Sequence, residues 1–199
     1  MKPLTKSTVD KNPFKQFEAW YGEVLNSDIK EPTAVTLATS SKDGTPSART
    51  VLLKGFDEDG FVFFTNYESR KGKNLIENPV AELLFFWMDL QRQVRISGRV
   101  EKTSREVSEE YFKTRPLKSR IGAWASKQSN VIPDREHLEK QFAEFEKKFG
   151  DDIPLPPHWG GFRLIPEQFE FWQGRESRLH DRICYNKKDG GWEIVRLAP

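Results

Sequence analysis

Two periodicities divide this chain. From Asn12 the apolar residues recur every three or four positions. Phe14, Phe17, Tyr21, Val24 and Leu25 form one stripe of a predicted helix, and Pro13 suits its first turn. Residues 1 to 12 are polar and aperiodic, and are expected to form a mobile arm. From Glu31 the period drops to two. Ala34–Thr39 reads as a strand, Ser47–Lys54 as its return across a turn tipped by Asp43-Gly44, and Phe61–Thr65 as a third strand beyond Asp57-Glu58-Asp59-Gly60. This predicts an antiparallel meander. Glu68 to Ile76 reads as a short helix ended by Asn78-Pro79. Val80–Trp87 is a strongly apolar strand, and Arg92–Val100 alternates, with Arg92, Val94, Ile96 and Gly98 on one face and Gln93, Arg95, Ser97 and Arg99 on the other. Strands with such short connections predict a closed or nearly closed antiparallel barrel.

The second half mixes both periods. Thr103-Ser104-Arg105-Glu106 has the form of a capping box, opening a helix that Pro116 stops. Ile121 to Ser129 reads as a short helix followed by a loop. Asp134 opens a further helix, with Leu138, Phe142, Phe145 and Phe149 as its stripe and Gly150 as its stop. Beyond the stiff connector Ile153–Pro157, Phe162–Leu164 and Phe169–Trp172 read as two strands, and Trp192–Leu197 as the last. The fold class predicted is mainly β (α+β), a barrel with flanking helices.

Composition sharpens this picture. The chain has 199 residues, suited to one domain, yet only 36% are hydrophobic and 31% are charged. The aromatics, 15 Phe, 6 Trp and 4 Tyr, must supply much of the buried area, and a second copy of the chain could cover some of the rest. A net charge of +2 makes no demand for nucleic acid. One cysteine, Cys184, excludes an internal disulfide and a cysteine-built metal site, and His137, His158 and His180 lie too far apart for a local metal motif. No apolar stretch reads as a signal peptide or as a span of the ~20 residues a bilayer needs, so no membrane and a cytoplasmic location are expected.

The densest chemistry lies in Phe171-Trp172-Gln173-Gly174-Arg175-Glu176-Ser177-Arg178-Leu179-His180-Asp181-Arg182. Read as two strands joined by a loop, it delivers Arg178, His180 and Arg182 to one face of a strand. That suits a pocket for an anionic planar ligand; a solvated edge strand whose charges discourage aggregation fits as well. Arg70 and Lys71, in the first turn of their helix, read either as an anion site built with the turn's N–H groups or as a solvated basic turn. Tyr111 and Arg115 share a helix face and Ser119 follows, an arrangement for a phosphate ester or an ordinary surface pair. The chain has no P-loop, no G-x-S-x-G and no dinucleotide fingerprint after a strand. A phosphorylated cofactor would therefore be held by side-chain cations. Two groups are available, Arg49 with Arg70 and Lys71, and Lys54 with Tyr111, Arg115 and Ser119. Two groups suit two phosphate esters, a cofactor and a substrate.

These residues sit in blocks that resemble the pyridoxine/pyridoxamine 5′-phosphate oxidase family. The blocks include Arg49-Thr50-Val51-Leu52-Leu53-Lys54, Ser69-Arg70-Lys71, Arg92-Gln93-Val94, Tyr111-Phe112-Lys113-Thr114-Arg115-Pro116, Ser126-Lys127-Gln128-Ser129, Trp159-Gly160-Gly161-Phe162-Arg163, Phe171-Trp172-Gln173-Gly174 and Arg178-Leu179-His180-Asp181-Arg182, in register from about Pro32 to Pro199. The resemblance implies a split β-barrel of the FMN-binding type as a single domain over 13–199, in a homodimer with FMN between the subunits. It implies that Arg49, Arg70, Lys71, Gln128 and Ser129 hold the FMN phosphate and ribityl chain. The backbone of Thr50, Val51, Leu52 and Leu53, with Lys54, Phe64, Thr65, Gln93, Trp172 and Arg182, completes the cofactor set. Lys54, Tyr111, Arg115 and Ser119 bind the substrate phosphate, and Arg178, Leu179 and His180 lie over the pyridine ring, with Arg178 and His180 catalytic. The implied reaction oxidises pyridoxine 5′-phosphate and pyridoxamine 5′-phosphate to pyridoxal 5′-phosphate by hydride transfer to FMN, with dioxygen as final acceptor. Two departures stand out: Phe64 occupies a position where the family often has Tyr, and the first dozen residues lack an arginine-rich arm. The alternatives are another flavin or deazaflavin reductase on the same barrel, and a non-catalytic carrier of flavin or pyridoxal phosphate.

Overall fold

The computed structural model describes residues 3–199. Helix α1 (Pro13–Leu25) is capped by Asn12, whose side chain accepts from the Phe14 N–H at 2.9 Å. It buries Phe17, Trp20, Tyr21 and Val24. Leu25, expected in that stripe, is exposed, because it lies a further step round the helix from Val24; Trp20 fills the face instead.

Nine strands form one antiparallel sheet: β1 (Ala34–Ser40), β2 (Pro46–Leu52), β3 (Gly55–Asp57), β4 (Gly60–Asn66), β5 (Val80–Trp87), β6 (Arg92–Lys102), β7 (Trp159–Gln173), β8 (Asp181–Lys188) and β9 (Gly191–Arg196). The main path runs β2-β1-β5-β6-β7-β4-β3, with β8 also on β7 and β9 outside β8. The predicted meander therefore ends at β2, since β4 pairs with β7 at the far end of the path. The crossing is made at Leu53 and Lys54. The Leu53 N–H donates to Thr33 O at 2.8 Å, and the Lys54 N–H donates to Val62 O at 2.9 Å. Leu53 is buried there, so the chain is held as it passes from one end of the sheet to the other, and the barrel nearly closes.

Strand β7 is the spine. The two strands expected at Phe162–Leu164 and Phe169–Trp172 are one, because β6 pairs with β7 on both sides of Pro166, from Phe162 to Gln173. Its remaining partners divide it: β4 takes Trp159–Leu164, and β8 takes Gln168–Gln173. The division falls at Pro166, which has no N–H to give, and the β6–β7 register shifts between Ser97 and Gly98. A Cβ on Gly98 would lie 2.0 Å from Ile165 O, so only glycine lets the strands approach at the shift.

Phe17, Phe61, Phe63, Phe85, Phe169, Phe171 and Tyr185 fill the barrel. Helix α2 (Arg70–Glu77) is capped by Ser69. Helices α3 (Arg105–Thr114), α4 (Leu117–Ala125) and α5 (Arg135–Phe149) enclose a second cluster of Phe112, Ile121, Ile153, Leu155 and Trp159. The cap of α3 is Ser104, one residue later than the capping-box reading, and α4 starts four residues earlier than Ile121. The α5 stripe packs on this cluster through Phe142, Phe145 and Phe149 while staying partly exposed.

The first two residues of the expected mobile arm lie outside the described residues. The rest runs against the barrel, with Leu4 and Val9 buried. The Leu4 N–H donates to Asp181 Oδ2 at 3.2 Å, Arg196 Nη1 donates to Leu4 O at 3.1 Å, and the Tyr185 hydroxyl donates to Asp10 O at 2.7 Å. Among the described residues no helix is long and apolar enough to cross a membrane, and no cluster of ligands suits a metal ion.

Candidate active site

A cavity of about 640 Å³ opens where β2 and β4 end beside α2, α3 and α4. Its floor is Thr50, Val51, Leu52 and Lys54 on one side and Phe64, Thr65 and Asn66 on the other. Lys71 enters from α2, Tyr111 and Arg115 from α3 and the residue after it, Ser119 from α4, and Gln128 from the following loop. Residues distant in sequence thus meet in one concavity: the whole second cation group, Lys54, Tyr111, Arg115 and Ser119, and Lys71 of the first, while Arg49 and Arg70 stay outside its wall.

The cation chemistry of the first group is explicit. Lys71 is buried, and its Nζ donates to Thr65 Oγ1 at 3.1 Å and Gln128 Oε1 at 3.0 Å. Burial, and then the nearby Arg49 guanidinium, push the Lys71 ammonium down to about 8. Arg49 is lowered in turn by burial and by Arg70. Its guanidinium donates to Leu37 O at 3.1 Å and Thr39 Oγ1 at 2.8 Å. Among the described residues no carboxylate pairs with Arg49, Arg70 or Lys71. Two partly buried cations, Arg49 and Lys71, with only neutral oxygens as partners and with Arg70 beside Arg49, suit a multivalent anion. Ser129, in the same loop as Gln128, has a left-handed backbone at φ 69°.

The second group is built on an aromatic stack. Phe64 lies against both Tyr111 and Trp159, with ring centroids 4.1 Å and 5.5 Å away and planes within 16° and 8°, and those two rings are themselves 6.2 Å apart. The Arg115 guanidinium rests on the Trp159 ring at 4.6 Å, and its Nη1 is buried with no hydrogen-bond partner. A buried guanidinium N–H without a partner, on a residue of the cavity wall, is a donor not satisfied within the protein, which suits a residue that meets an anionic ligand. Burial pushes the Arg115 guanidinium down. Lys54 Nζ lies 6.0 Å from the Tyr111 ring. Trp159 was not assigned a role by sequence reasoning; its only signal is the Trp-Gly-Gly block. Phe64 has a packing task, stacking flat on Tyr111.

The remaining site residues lie elsewhere on the chain. Gln93, Trp172, Arg178, Leu179, His180 and Arg182 do not line this cavity, and neither do Arg49, Arg70 and Ser129. Leu53 is buried in the core and is not part of the cavity wall either. Gln93, Trp172 and Arg182 form a row across β6, β7 and β8, each opposite the next. Arg178, His180 and Arg182 do not share a strand face, contrary to the alternation reading, because β8 begins only at Asp181. Before it, Ser177 and Arg178 adopt left-handed backbone at φ 55° and 60°, which turns the loop and leaves Leu179 exposed. His180 packs near Trp172, with centroids 4.8 Å apart, and its Nδ1 accepts from the Arg175 N–H at 3.1 Å. Asp181 anchors the loop. It accepts from Arg175 Nε at 2.7 Å, from Arg196 and from the Leu4 N–H. Burial opposes its charge, yet these bonds hold the carboxyl below its ordinary value.

Comparison with known proteins gives a consistent result. Residues 22–149 match the family model for pyridoxamine 5′-phosphate oxidase, and residues 159–199 match the pyridoxine 5′-phosphate oxidase C-terminal dimerisation region. The chain is 58% identical over 198 residues to a pyridoxine/pyridoxamine 5′-phosphate oxidase of Paraburkholderia xenovorans (strain LB400), covering 98% of this chain and 93% of that one. It is 57% identical over 199 residues to the enzyme of the same name from Burkholderia mallei (strain SAVP1), with the same coverage. Among solved structures it is similar to PhzG from Burkholderia lata 383 in complex with tetrahydrophenazine-1-carboxylic acid, at a TM-score of 0.93 and 30% identity over 100% of this chain and 99% of that one. A pyridoxamine 5′-phosphate oxidase-related, FMN binding protein from Nostoc punctiforme PCC 73102 shares the fold at a TM-score of 0.74 and 20% identity, covering 96% and 100%.

Proposed function

This chain belongs to the pyridoxine/pyridoxamine 5′-phosphate oxidase family, and on that premise we propose how its residues convert pyridoxine 5′-phosphate and pyridoxamine 5′-phosphate to pyridoxal 5′-phosphate. FMN, when bound, accepts the hydride and passes its electrons to dioxygen, giving hydrogen peroxide. The observation that carries the assignment is the meeting, in one cavity, of Lys54, Lys71 and Arg115, none of them paired with a carboxylate among the described residues.

Arg49, Arg70 and Lys71, with Gln128 and Ser129, hold the phosphate and ribityl chain of the cofactor. Thr50 to Lys54, Phe64 and Thr65 line the flavin from this chain. Lys54, Tyr111, Arg115 and Ser119 hold the substrate phosphate, Arg115 offering the buried Nη1 that lacks a partner within the protein. Clamping both phosphates fixes the two rings against each other, which removes orientational freedom before reaction.

Gln93, Trp172, Arg178, Leu179, His180 and Arg182 complete the site from a second copy of the chain. Support comes from the region 159–199, which matches the dimerisation model and holds five of the six, none of them on this chain's own cavity wall. Because both matched regions build one sheet, we read 13–199 as a single domain. Arg178 and His180 serve the pyridine ring and the charge that develops on it. With Nδ1 accepting from Arg175, the neutral His180 ring carries its proton on Nε2, and so presents a donor to the substrate.

A second reading, oxidation of another aromatic substrate by the same fold, is favoured by the close overlay with PhzG. An aerobic assay of the yellow protein with both phosphorylated vitamers, following pyridoxal 5′-phosphate and peroxide, decides between them. Turnover of either vitamer supports the oxidase; a flavin-loaded protein inert to both supports the second reading. FMN binding without any turnover reduces it to a carrier.

A further inference from the structure

The outward face of the sheet carries, beside the Gln93–Trp172–Arg182 row, a second row of charged residues with no role in the site so far. Gln93 and Arg95 on β6, Trp172 and Glu170 on β7, and Arg182 and Cys184 on β8 all point the same way, opposite to the core residues Val94, Phe171 and Ile183. Trp172 stands opposite both Gln93 and Arg182 in one row; Glu170 stands opposite Arg95 and Cys184 in the next.

Glu170 is the pivot of this face. Its side chain is 8% exposed and meets two guanidinia. Arg182 grips it with both sides of its fork, Nε to Oε1 at 2.8 Å and Nη2 to Oε2 at 3.1 Å. Arg95 approaches Oε2 at 3.5 Å, while committing its own fork to Glu82 at 2.8 Å and 2.9 Å. Arg182 Nη1 donates to Ala198 O at 2.7 Å, near the end of the chain. A bidentate carboxylate on one edge and a carbonyl at Nη1 define the plane of the guanidinium. Three of its five N–H groups are thereby used, which leaves two to meet a ligand.

We propose that Glu170 is a positioning residue for the oxidation, fixing the guanidinium plane of Arg182 toward the flavin that Arg182, Trp172 and Gln93 line. This rests on the reading that Arg182 contacts the flavin. Arg95 and Glu82 extend the support: by pairing with each other they leave Glu170's charge chiefly to Arg182.

The test is a double-mutant cycle on FMN dissociation, measured by quenching of FMN fluorescence, with Glu170→Gln, Arg182→Ala and the pair. Glutamine keeps the volume and removes the charge. The visible circular dichroism of FMN-saturated protein is recorded alongside, because it reports the asymmetry around the flavin. Glu170→Gln is expected to weaken FMN binding roughly tenfold and alter the flavin bands, and to add nothing in the Arg182→Ala background, since residues acting as a unit are non-additive. An equal effect of Glu170→Gln in both backgrounds overturns the proposal while leaving Arg182 at the flavin. No loss of FMN affinity in Arg182→Ala overturns both, through the reading beneath. If Glu170→Gln does not fold, Arg182→Lys keeps the charge and drops the forked grip. Its failure to hold FMN as the wild type does supports the proposal, and wild-type affinity and bands overturn it.

Discussion

Replacing Lys71 with methionine isolates the largest electrostatic consequence of the cofactor corner. The substitution keeps the length and apolar stem of the side chain and removes the ammonium. Truncating one partner of a buried, hydrogen-bonded charge pair costs about 2–5 kcal/mol of binding. Lys71 belongs at the lower end, because Arg49 and Arg70 still face the same anion and because its ammonium is already lowered to about 8 before any phosphate arrives. About 2–3 kcal/mol corresponds to an FMN dissociation constant raised roughly 30- to 150-fold. The pH dependence carries the sign. Near and above pH 8 the cofactor-free Lys71 loses its proton, and an incoming phosphate must draw it back. Wild-type affinity should therefore fall as pH rises from about 8, whereas Lys71→Met should show no such fall over that range. Stability of the cofactor-free protein should move the other way. The unfolded chain holds this proton up to the ordinary lysine value of 10.5, so folding releases it between about 8 and 10.5 and stability rises with pH there. Removing the charge should consequently not lower the melting temperature of the cofactor-free protein. The assay is FMN fluorescence titration between pH 7 and 9.5, with a thermal melt in parallel. A Lys71→Met protein within threefold of wild-type affinity at pH 7 would refute the reasoning, as would a flat wild-type profile.

Arg115→Ala should raise the KM for both phosphorylated substrates by roughly 30- to 150-fold, with kcat little changed, since the contact to the substrate phosphate persists through the reaction; steady-state kinetics checks it. Arg178→Ala should lower kcat by at least about tenfold while FMN affinity stays near wild type, because Arg178 lies outside the cation corner; kinetics and titration together separate the two. Gly98→Ala should drive a Cβ to within 2.0 Å of Ile165 O and lower the melting temperature of the cofactor-free protein, the backbone having no flexible side chain to give way.

Much of the fold was legible because its signals are local. The Asn12-Pro13 start of α1, the Ser69 and Asp134 caps, and the alternation of β6 follow from residues within a turn or two. Strand partners were not. Nothing near Phe61–Thr65 says that β4 will pair with β7, some hundred residues on, instead of with β2 beside it. Pro166 broke the apparent strand in sequence, whereas β6 carries it through in space. The site divides the same way. The lack of a P-loop and of a dinucleotide fingerprint pointed to side-chain cations, Arg49, Lys71 and Arg115 among them, as holders of phosphate. Trp159 beneath Arg115 was hidden, because an aromatic gives no sign of whether it faces core or ligand. The alternation argument failed at Arg178 and His180, where two left-handed residues delay the start of β8. Family resemblance supplied their roles; periodicity could not.

In the proposed shared site, where the Arg178 loop of one copy completes the cavity of the other, damage to one half of a site need not travel with damage to the other. In a mixed dimer of Lys71→Met and Arg178→Ala chains, one site inherits both lesions and its twin inherits neither. Two inactive proteins, unfolded together and refolded as a mixture, would therefore yield some wholly intact catalytic centres, and genetic complementation between such alleles is a natural property of this architecture.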